Sequence, residues 1–383
     1  MNIRKYLKKG RYLVFLGFIV AIALGALGCV KGLAPIGWSG GATENGTIYV
    51  GARDGTLTAV DIADSSRQKA EALKGQSQGG LFGCNAAYGE GCSGAVSHVA
   101  IYGTPAFAGD LVYIGGYNGK VYAYSTSNLA VRWVYPRDTY VKPIVGSVVT
   151  DGSQVYFGDS SGTFYALNAA TGDLVWSYQT GDKIWGAPTV SDGTVYIGSF
   201  DKKLYALNAA DGTLKWTFEA GGSFIAPPVV KDGVLYVGAF DREFYAIDAA
   251  TGQQKWSFRA GNWFWSRGVI ISDVIYVPCL DGKVYELRLS DGAEVTSYDT
   301  GENIPSGLAL DGTNLILASE NGTVYKIDTV ANKMTTLTTI DKLTVDGPVL
   351  IDNGIIYIQD SSNQLIRIDE ETGAVMTPIA LTS

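Results

Sequence analysis

Histidine, cysteine and charged residues are scarce in this chain. Its 383 residues include one histidine, His98, and four cysteines, none of them adjacent, and charged residues make up 17%. A single histidine argues against a multi-histidine metal site and a conventional Ser-His-Asp triad, so we expect no metal ligands. Tyrosine and glycine are abundant instead, with 23 and 49 copies. That composition is typical of short strands joined by tight turns.

Positive charge is scarce outside the N-terminus. The first 28 residues contain five cations and no acid, which leaves 24 basic and 37 acidic side chains, a formal charge of −13, in the remainder. Such a body repels phosphate, so we expect no binding of nucleic acid and no generic binding of anionic lipid.

The N-terminus has the layout of an export signal. Residues 1–11 are basic, residues 12–28 are uncharged and mostly apolar, and Cys29 follows. The segment resembles the lipobox of bacterial lipoproteins, in which such a cysteine is lipidated, although Ala26 stands where leucine is usual. The alternative is an uncleaved anchor helix, since a stretch of this length just spans a bilayer.

We therefore predict a signal peptide over 1–28, with lipidation of Cys29, and a tether over 29–37. Either interpretation places the body outside the cytoplasm, anchored to a membrane through a lipid or the N-terminal helix. Cys84 and Cys92 lie eight residues apart in a glycine-rich segment. This spacing predicts a small disulfide-closed loop in an oxidising compartment. The remaining Cys279 is expected to be a buried free thiol within a strand.

Residues 38–383 are predicted to form one all-β domain, an eight-bladed β-propeller of four-stranded antiparallel blades. A Tyr-x-Gly position recurs mostly every 40 to 43 residues, which is typical of radially repeated β-sheets. One interval is 64 residues long, and its excess maps to an insertion at about 75–100. The eight copies lie at Tyr49, Tyr113, Tyr156, Tyr196, Tyr236, Tyr276, Ile316 and Tyr357.

The clearest copy predicts strands over 187–190, 194–198, 203–207 and 214–218. A tryptophan recurs on the fourth strand and is predicted to dock flat against the next blade. The last three copies have threonine at this position. Both chain ends fall between blades, so we expect the ring to close without strand exchange, through packing alone. The four tryptophans are Trp133, Trp176, Trp216 and Trp256.

The motif Asp-Gly-x-x-Tyr-x-Gly, followed by Tyr-Ala-Leu-(Asn/Asp)-Ala-x-(Thr/Asp)-Gly and a tryptophan, resembles the PQQ-like, or quinoprotein-type, repeat. The resemblance covers roughly 38–383 and is most specific over 146–262. It implies one of two functions. Members of the enzymatic branch are quinone-dependent dehydrogenases with adjacent cysteines, a calcium site and a catalytic aspartate. The BamB-like lipoprotein branch is non-enzymatic and acts as a scaffold.

The sequence favours the scaffold branch, because it has a lipobox-like signal, eight copies and no adjacent cysteines. Asp201, Asp241 and Asp281 recur at the interval of the repeat and are therefore expected to be its turn residues. We expect no cofactor and no catalytic residue; pyrroloquinoline quinone and calcium belong only to the dehydrogenase alternative. A surface lipoprotein that binds carbohydrate or a small ligand is a third interpretation.

A candidate binding rim follows from the segments that precede each first strand. First strands of a propeller line its channel, so these variable segments should surround one channel mouth and bind a protein or peptide partner. The alternative for each of these side chains is core packing between blades. The candidate rim comprises Tyr140, Lys142, Lys183, Trp185, Phe224, Trp263, Trp265 and Arg267.

Overall fold

The computed structural model describes residues 39–73, 99–341, 343–345 and 347–381. Its strands form eight antiparallel sheets of four strands, and the strands of each sheet are consecutive in the chain. The predicted all-β architecture with eight four-stranded blades is confirmed. The predicted signal or anchor helix, Cys29, the tether, and Cys84 and Cys92 lie outside the described residues. No helix in the described part of the chain is long and apolar enough to cross a membrane.

The first four blades have the following strands. Blade 1 contains β1 (Ala42–Glu44), β2 (Thr47–Gly51), β3 (Thr56–Asp61) and β4 (Gln68–Ala72). Blade 2 contains β5 (Ala106–Ala108), β6 (Leu111–Gly116), β7 (Lys120–Ser125) and β8 (Val131–Tyr135). Blade 3 contains β9 (Val149–Thr150), β10 (Gln154–Gly158), β11 (Thr163–Asn168) and β12 (Leu174–Gln179). Blade 4 contains β13 (Thr189–Ser191), β14 (Thr194–Gly198), β15 (Lys203–Asn208) and β16 (Leu214–Glu219).

The last four blades repeat this plan. Blade 5 contains β17 (Val229–Lys231), β18 (Val234–Gly238), β19 (Glu243–Asp248) and β20 (Gln254–Arg259). Blade 6 contains β21 (Val269–Ile271), β22 (Val274–Pro278), β23 (Lys283–Arg288) and β24 (Glu294–Asp299). Blade 7 contains β25 (Ala309–Asp311), β26 (Asn314–Ala318), β27 (Thr323–Asp328) and β28 (Lys333–Thr339). Blade 8 contains β29 (Leu350–Asp352), β30 (Ile355–Gln359), β31 (Gln364–Asp369) and β32 (Val375–Ala380).

The hydrophobic core lies between blades, not within them. Eight clusters of buried side chains each combine residues of two neighbouring blades. Between blades 5 and 6, for example, Phe244 and Trp256 pack with Val277 and Tyr285. A fully buried side chain of this kind stabilises the fold by about 1.5–3 kcal/mol. Because each blade buries both faces against its neighbours, the ring is stable only as a closed whole.

Blades 8 and 1 meet to close the ring. Among the described strands, neither blade contains a strand from the other end of the chain, as predicted. The closing interface buries Val50 and Val60 against Tyr357 and Leu365. Hydrogen bonds also cross it, so the prediction of closure by packing alone was incomplete. The backbone N–H of Arg53 donates to the Asn363 side-chain oxygen at 2.9 Å. The Gln68 side chain donates to the Ala380 carbonyl at 2.9 Å, and the Gln359 side chain donates to the Gly51 carbonyl at 3.2 Å.

Tryptophan side chains join blades 2 to 6. The Trp176 indole N–H donates to the Ala209 carbonyl of the next blade at 2.8 Å, and Trp216 donates to Ala249 at 3.0 Å. The Trp176 ring lies against Gly212, where a Cβ would approach it to 2.5 Å and φ is +73°. Only glycine fits this position. The corresponding pairs are Trp133 with Ala169 and Gly172, and Trp256 with Leu289 and Gly292.

Threonine replaces the tryptophan in blades 6 and 7, and charged side chains lie on the neighbouring third strands. In blades 3 to 5 an alanine of the third strand lies opposite the tryptophan, whereas in blade 6 the buried Glu286 lies opposite Thr296. The Tyr298 hydroxyl donates to the Glu286 carboxylate at 3.4 Å. In blade 7 the Lys326 ammonium lies 3.0 Å from the buried Glu370 carboxylate of blade 8.

Candidate functional site

The segments that connect consecutive blades lie across the turns between second and third strands. In blade 4 the Phe200 N–H donates to the Lys183 carbonyl at 2.9 Å, and in blade 5 the Phe240 N–H donates to the Ser223 carbonyl at 3.0 Å. First strands of neighbouring blades also contact one another, so they surround the central channel. The connecting segments and these turns therefore form one face of the propeller around the channel mouth.

Aspartates of the repeat hold this face together. The Asp201 carboxylate accepts hydrogen bonds from the Gly181 N–H at 2.7 Å, the Tyr205 hydroxyl at 2.5 Å and the Lys203 N–H at 2.9 Å. Burial and this carboxylate raise the pKa of the Tyr205 hydroxyl above its usual range. Asp241 and Asp281 accept the same three types of hydrogen bond in blades 5 and 6. These acids are turn residues, as the repeat spacing predicted.

Trp185 forms the first aromatic group on this face. Its ring meets Phe200 edge to face, with centroids 4.7 Å apart, and its indole N–H donates to the Ser160 hydroxyl of blade 3 at 3.2 Å. The Lys183 ammonium lies 5.8 Å from the centroids of both rings. A cation at this distance is attracted to the ring faces, which fixes the half-buried indole between two blades.

Trp263 and Trp265, in the segment that leads to blade 6, form the second group around Phe240 of blade 5. Trp263 stacks on Phe240 with centroids 4.7 Å apart and an interplanar angle of 11°, and Trp265 stacks on the same ring at 5.9 Å. Both indoles are half-buried, whereas the intervening Phe264 is fully buried. Trp185, Phe200, Phe240, Trp263 and Trp265 together are called the aromatic surface below.

Sequence reasoning missed Phe200 and Phe240. They occupy the same position in blades 4 and 5, where blades 3 and 6 have Ser160 and Leu280. The signal was present as two phenylalanines exactly one repeat apart, in turns that otherwise vary. The signal lies in the turns between second and third strands and not in the variable connecting segments on which the rim prediction rests.

Phe224 does not belong to a binding rim, which corrects the prediction. It is fully buried, and its side chain lies against Gly198. Alignment of the repeats places it with a row of buried anchors that includes Ile184 and Phe264, one residue out of register with Trp263. Alternate residues of each connecting segment point towards the core between blades, and Phe224 is one of these residues.

The other predicted rim residues are spread over the same face. Tyr140 is 59% exposed and Lys142 is exposed in the segment that leads to blade 3. Arg267 lies next to first strands and lines the central channel; it is not part of the stack of Trp263 and Trp265. Surrounding protein removes water from its guanidinium and lowers the pKa of Arg267. The structure thus separates an aromatic surface from a cationic channel wall.

The described residues contain no group of three or more His, Cys, Asp or Glu side chains that could hold a metal ion. The repeating aspartates already accept several hydrogen bonds within the fold. Cys279 is a fully buried free thiol, as predicted, although it lies just after β22 and not within a strand. Burial raises its pKa to about 12, so it is a poor nucleophile.

Eight four-stranded blades, with a tryptophan and glycine contact that recurs with the repeat at four of the interfaces between blades, define a propeller of the PQQ-like repeat class. The family model described as "Outer membrane protein assembly factor BamB" matches residues 76–185 and 180–377. The chain therefore belongs to the BamB family.

Individual relatives agree with this assignment. The outer membrane protein assembly factor BamB of Legionella pneumophila (strain Paris) is 30% identical over 139 residues, 36% of this chain and 34% of that protein. The match thus spans about a third of the curated relative. The crystal structure of BamB from Moraxella catarrhalis superimposes with a TM-score of 0.67 at 18% identity, covering 85% of this chain and 91% of that chain.

A designed protein has the same fold. The computationally designed Ika8 protein superimposes with a TM-score of 0.70 at 16% identity, covering 88% of this chain and 96% of that chain. Likeness at this level of identity reflects the propeller architecture alone. Function therefore has to be argued from the surface of this chain.

Proposed function

We propose that this protein is a membrane-tethered, extracytoplasmic scaffold that binds a protein partner during outer-membrane protein assembly. Membership of the BamB family supports the assembly role. The lipobox-like segment ending at Cys29 supports the tether, and the spacing of Cys84 and Cys92 supports an oxidising compartment. The proposed partner-binding site is the aromatic surface.

One observation carries the choice of site: half-buried tryptophans lie on the loop face of blades 4 to 6, packed edge to face or stacked on phenylalanines that the repeat does not require. These ring contacts hold each indole in one orientation before a partner arrives, so little side-chain entropy is lost on binding. Tryptophan is also among the residues most enriched at binding hot spots, where truncation costs about 2 kcal/mol or more.

A pull-down from the native membranes tests the proposal, with tagged protein carrying Trp263→Ser and Trp265→Ser together. We expect the double variant to lose capture of an outer-membrane assembly component that the unmodified protein retains. The matched control carries Leu174→Ser and Val175→Ser, two exposed apolar side chains on the outer strand of blade 3. The control should capture the partner normally. Equal capture by the tryptophan double variant and the unmodified protein would contradict the proposed site.

Lipid attachment is tested separately. Incorporation of labelled palmitate into the protein, and its loss in Cys29→Ala, are the expected results for a lipoprotein. Membrane association without label would instead support the anchor helix.

A further inference from the structure

An open cavity lies in the wall of the central channel, away from the aromatic surface. Its volume is about 520 Å³, within the range of pockets that hold small ligands. First strands and connecting segments of three successive blades contribute to it. The lining residues are Val229, Val230, Lys231, Arg267, Gly268, Val269, Ile270, Leu308 and Leu310.

The chemistry of this lining is unusual for an acidic protein. Seven of the nine lining residues are apolar or glycine, two are cations, and no acidic side chain is among them. The Lys231 ammonium already donates a hydrogen bond to the Ser272 carbonyl. Arg267 has no ion pair or hydrogen bond to the described residues, and it remains exposed within the channel. Its five N–H donors are therefore available to a ligand.

The positions of the two cations give the cavity a direction. Arg267 precedes β21 by two residues, at the mouth surrounded by the connecting segments, whereas Lys231 ends β17 at the opposite end of the first strands. The level of Arg267 and the level of Lys231 are four residues apart along a first strand, or about 13 Å along the channel. Val229, Ile270 and Leu310 line the interval. A ligand bound at Arg267 would thus extend its remaining atoms over apolar wall.

We propose that this channel wall binds an amphipathic carboxylate, with the carboxylate on the Arg267 guanidinium and an apolar group along β17, β21 and β25. A planar guanidinium binds a carboxylate through two parallel hydrogen bonds, and the low polarity of the walls strengthens them. A fatty acid and a peptide ending in apolar residues both supply this chemistry. The proposal does not depend on the aromatic surface.

Calorimetric titration with decanoate tests the site, and decyltrimethylammonium, which has the same tail with the opposite charge, is the control ligand. We expect one decanoate per chain and no binding of the cation. Arg267→Gln should weaken decanoate about tenfold or more, because a charge-assisted hydrogen bond is lost. Arg242→Gln, which removes the same charge from an exposed position on the loop face, should leave the affinity unchanged.

A second variant and a second probe make the result decisive. Leu310→Glu places an acid in the cavity at a side chain that is 44% exposed, so the fold should survive while decanoate binding is lost. An acetylated leucine tripeptide with a free C-terminal carboxylate, compared with its amide, shows whether peptide ends are also ligands. Failure of both carboxylates to bind, or equal affinity in Arg267→Gln, would overturn the proposal. Partner capture by the aromatic surface should be unaffected by either variant.

Discussion

Replacement of Trp216 by alanine tests whether the tryptophans stabilise the interfaces between blades. Trp216 is 9% exposed, and its ring lies against Gly252 of blade 5, where a Cβ would approach it to 2.7 Å. Truncation of a buried tryptophan typically lowers the free energy of unfolding by about 3–5 kcal/mol. The unfolding entropy of a body of this size is about 0.7 kcal/mol/K, so the melting temperature should fall by about 4–7 °C.

Most of this loss should come from packing and not from the hydrogen bond. The Ala249 carbonyl accepts the indole N–H at 3.0 Å and also the Tyr196 hydroxyl at 3.2 Å. It therefore keeps one donor when Trp216 is truncated. Adding Tyr196→Phe to Trp216→Ala removes both donors, and an unsatisfied buried carbonyl costs about 1–3 kcal/mol. The double variant should be less stable than the sum of the single effects predicts.

Thermal unfolding followed by circular dichroism measures these differences. Leu214→Ala is the matched control, because Leu214 lies on the same strand but is 47% exposed. It should change the melting temperature by about 1 °C or less. A melting temperature for Trp216→Ala equal to that of the unmodified protein would refute the stabilising role. Strict additivity of the two aromatic substitutions would refute the shared-carbonyl argument.

Two further predictions concern blade 6. Burial raises the pKa of Glu286 above its usual value of about 4.3, against weaker opposing hydrogen bonds from Tyr276 and Tyr298. The protonated Glu286 side chain thus favours folding most below its unfolded-state pKa of about 4.3, and this contribution is lost as the pH rises through the raised folded-state pKa. In denaturant titrations, the free energy of unfolding of Glu286→Gln, relative to that of the unmodified protein, should therefore increase as the pH rises from the first of these values through the second. Thr296→Trp alone should be destabilising, because the buried Glu286 lies directly opposite on the third strand, where blades 3 to 5 have alanine. Glu286→Ala combined with Thr296→Trp should recover stability, and an equal effect of Thr296→Trp with glutamate or alanine at position 286 would contradict this reasoning.

The blade count and strand boundaries could be predicted because they depend on local signals. Turns between first and second strands need positive φ, and Asp192-Gly193 adopts φ values of +48° and +67° as such a turn requires. In the clearest copy, β14 matches the predicted 194–198, and β15 and β16 each extend one residue beyond their predicted ends. Only the first strand was misplaced, by one to two residues, since its three residues carry little alternation.

The candidate site was harder to predict, because it depends on which side of an irregular segment faces the core. Phe224 and Trp263 both precede first strands and are both aromatic, but one is buried and the other is stacked on the surface. Arg267 follows Trp265 by two residues, yet it lines the channel. These differences follow from packing against the neighbouring blade, which is encoded a whole repeat away in the sequence.

The repeat itself supplies the strongest argument that the aromatic surface has a function. Every blade from 3 to 7 keeps a large apolar anchor in its connecting segment, because the core requires one: Ile144, Ile184, Phe224, Phe264 and Ile304 are all buried. The turn position of Phe200 and Phe240 shows no such constraint, since blades 3, 6 and 7 fill it with Ser160, Leu280 and Glu320. A blade therefore folds without an aromatic ring there. The aromatic pairs of blades 4 to 6 therefore answer no requirement of the repeat, which supports the proposed contact with a partner.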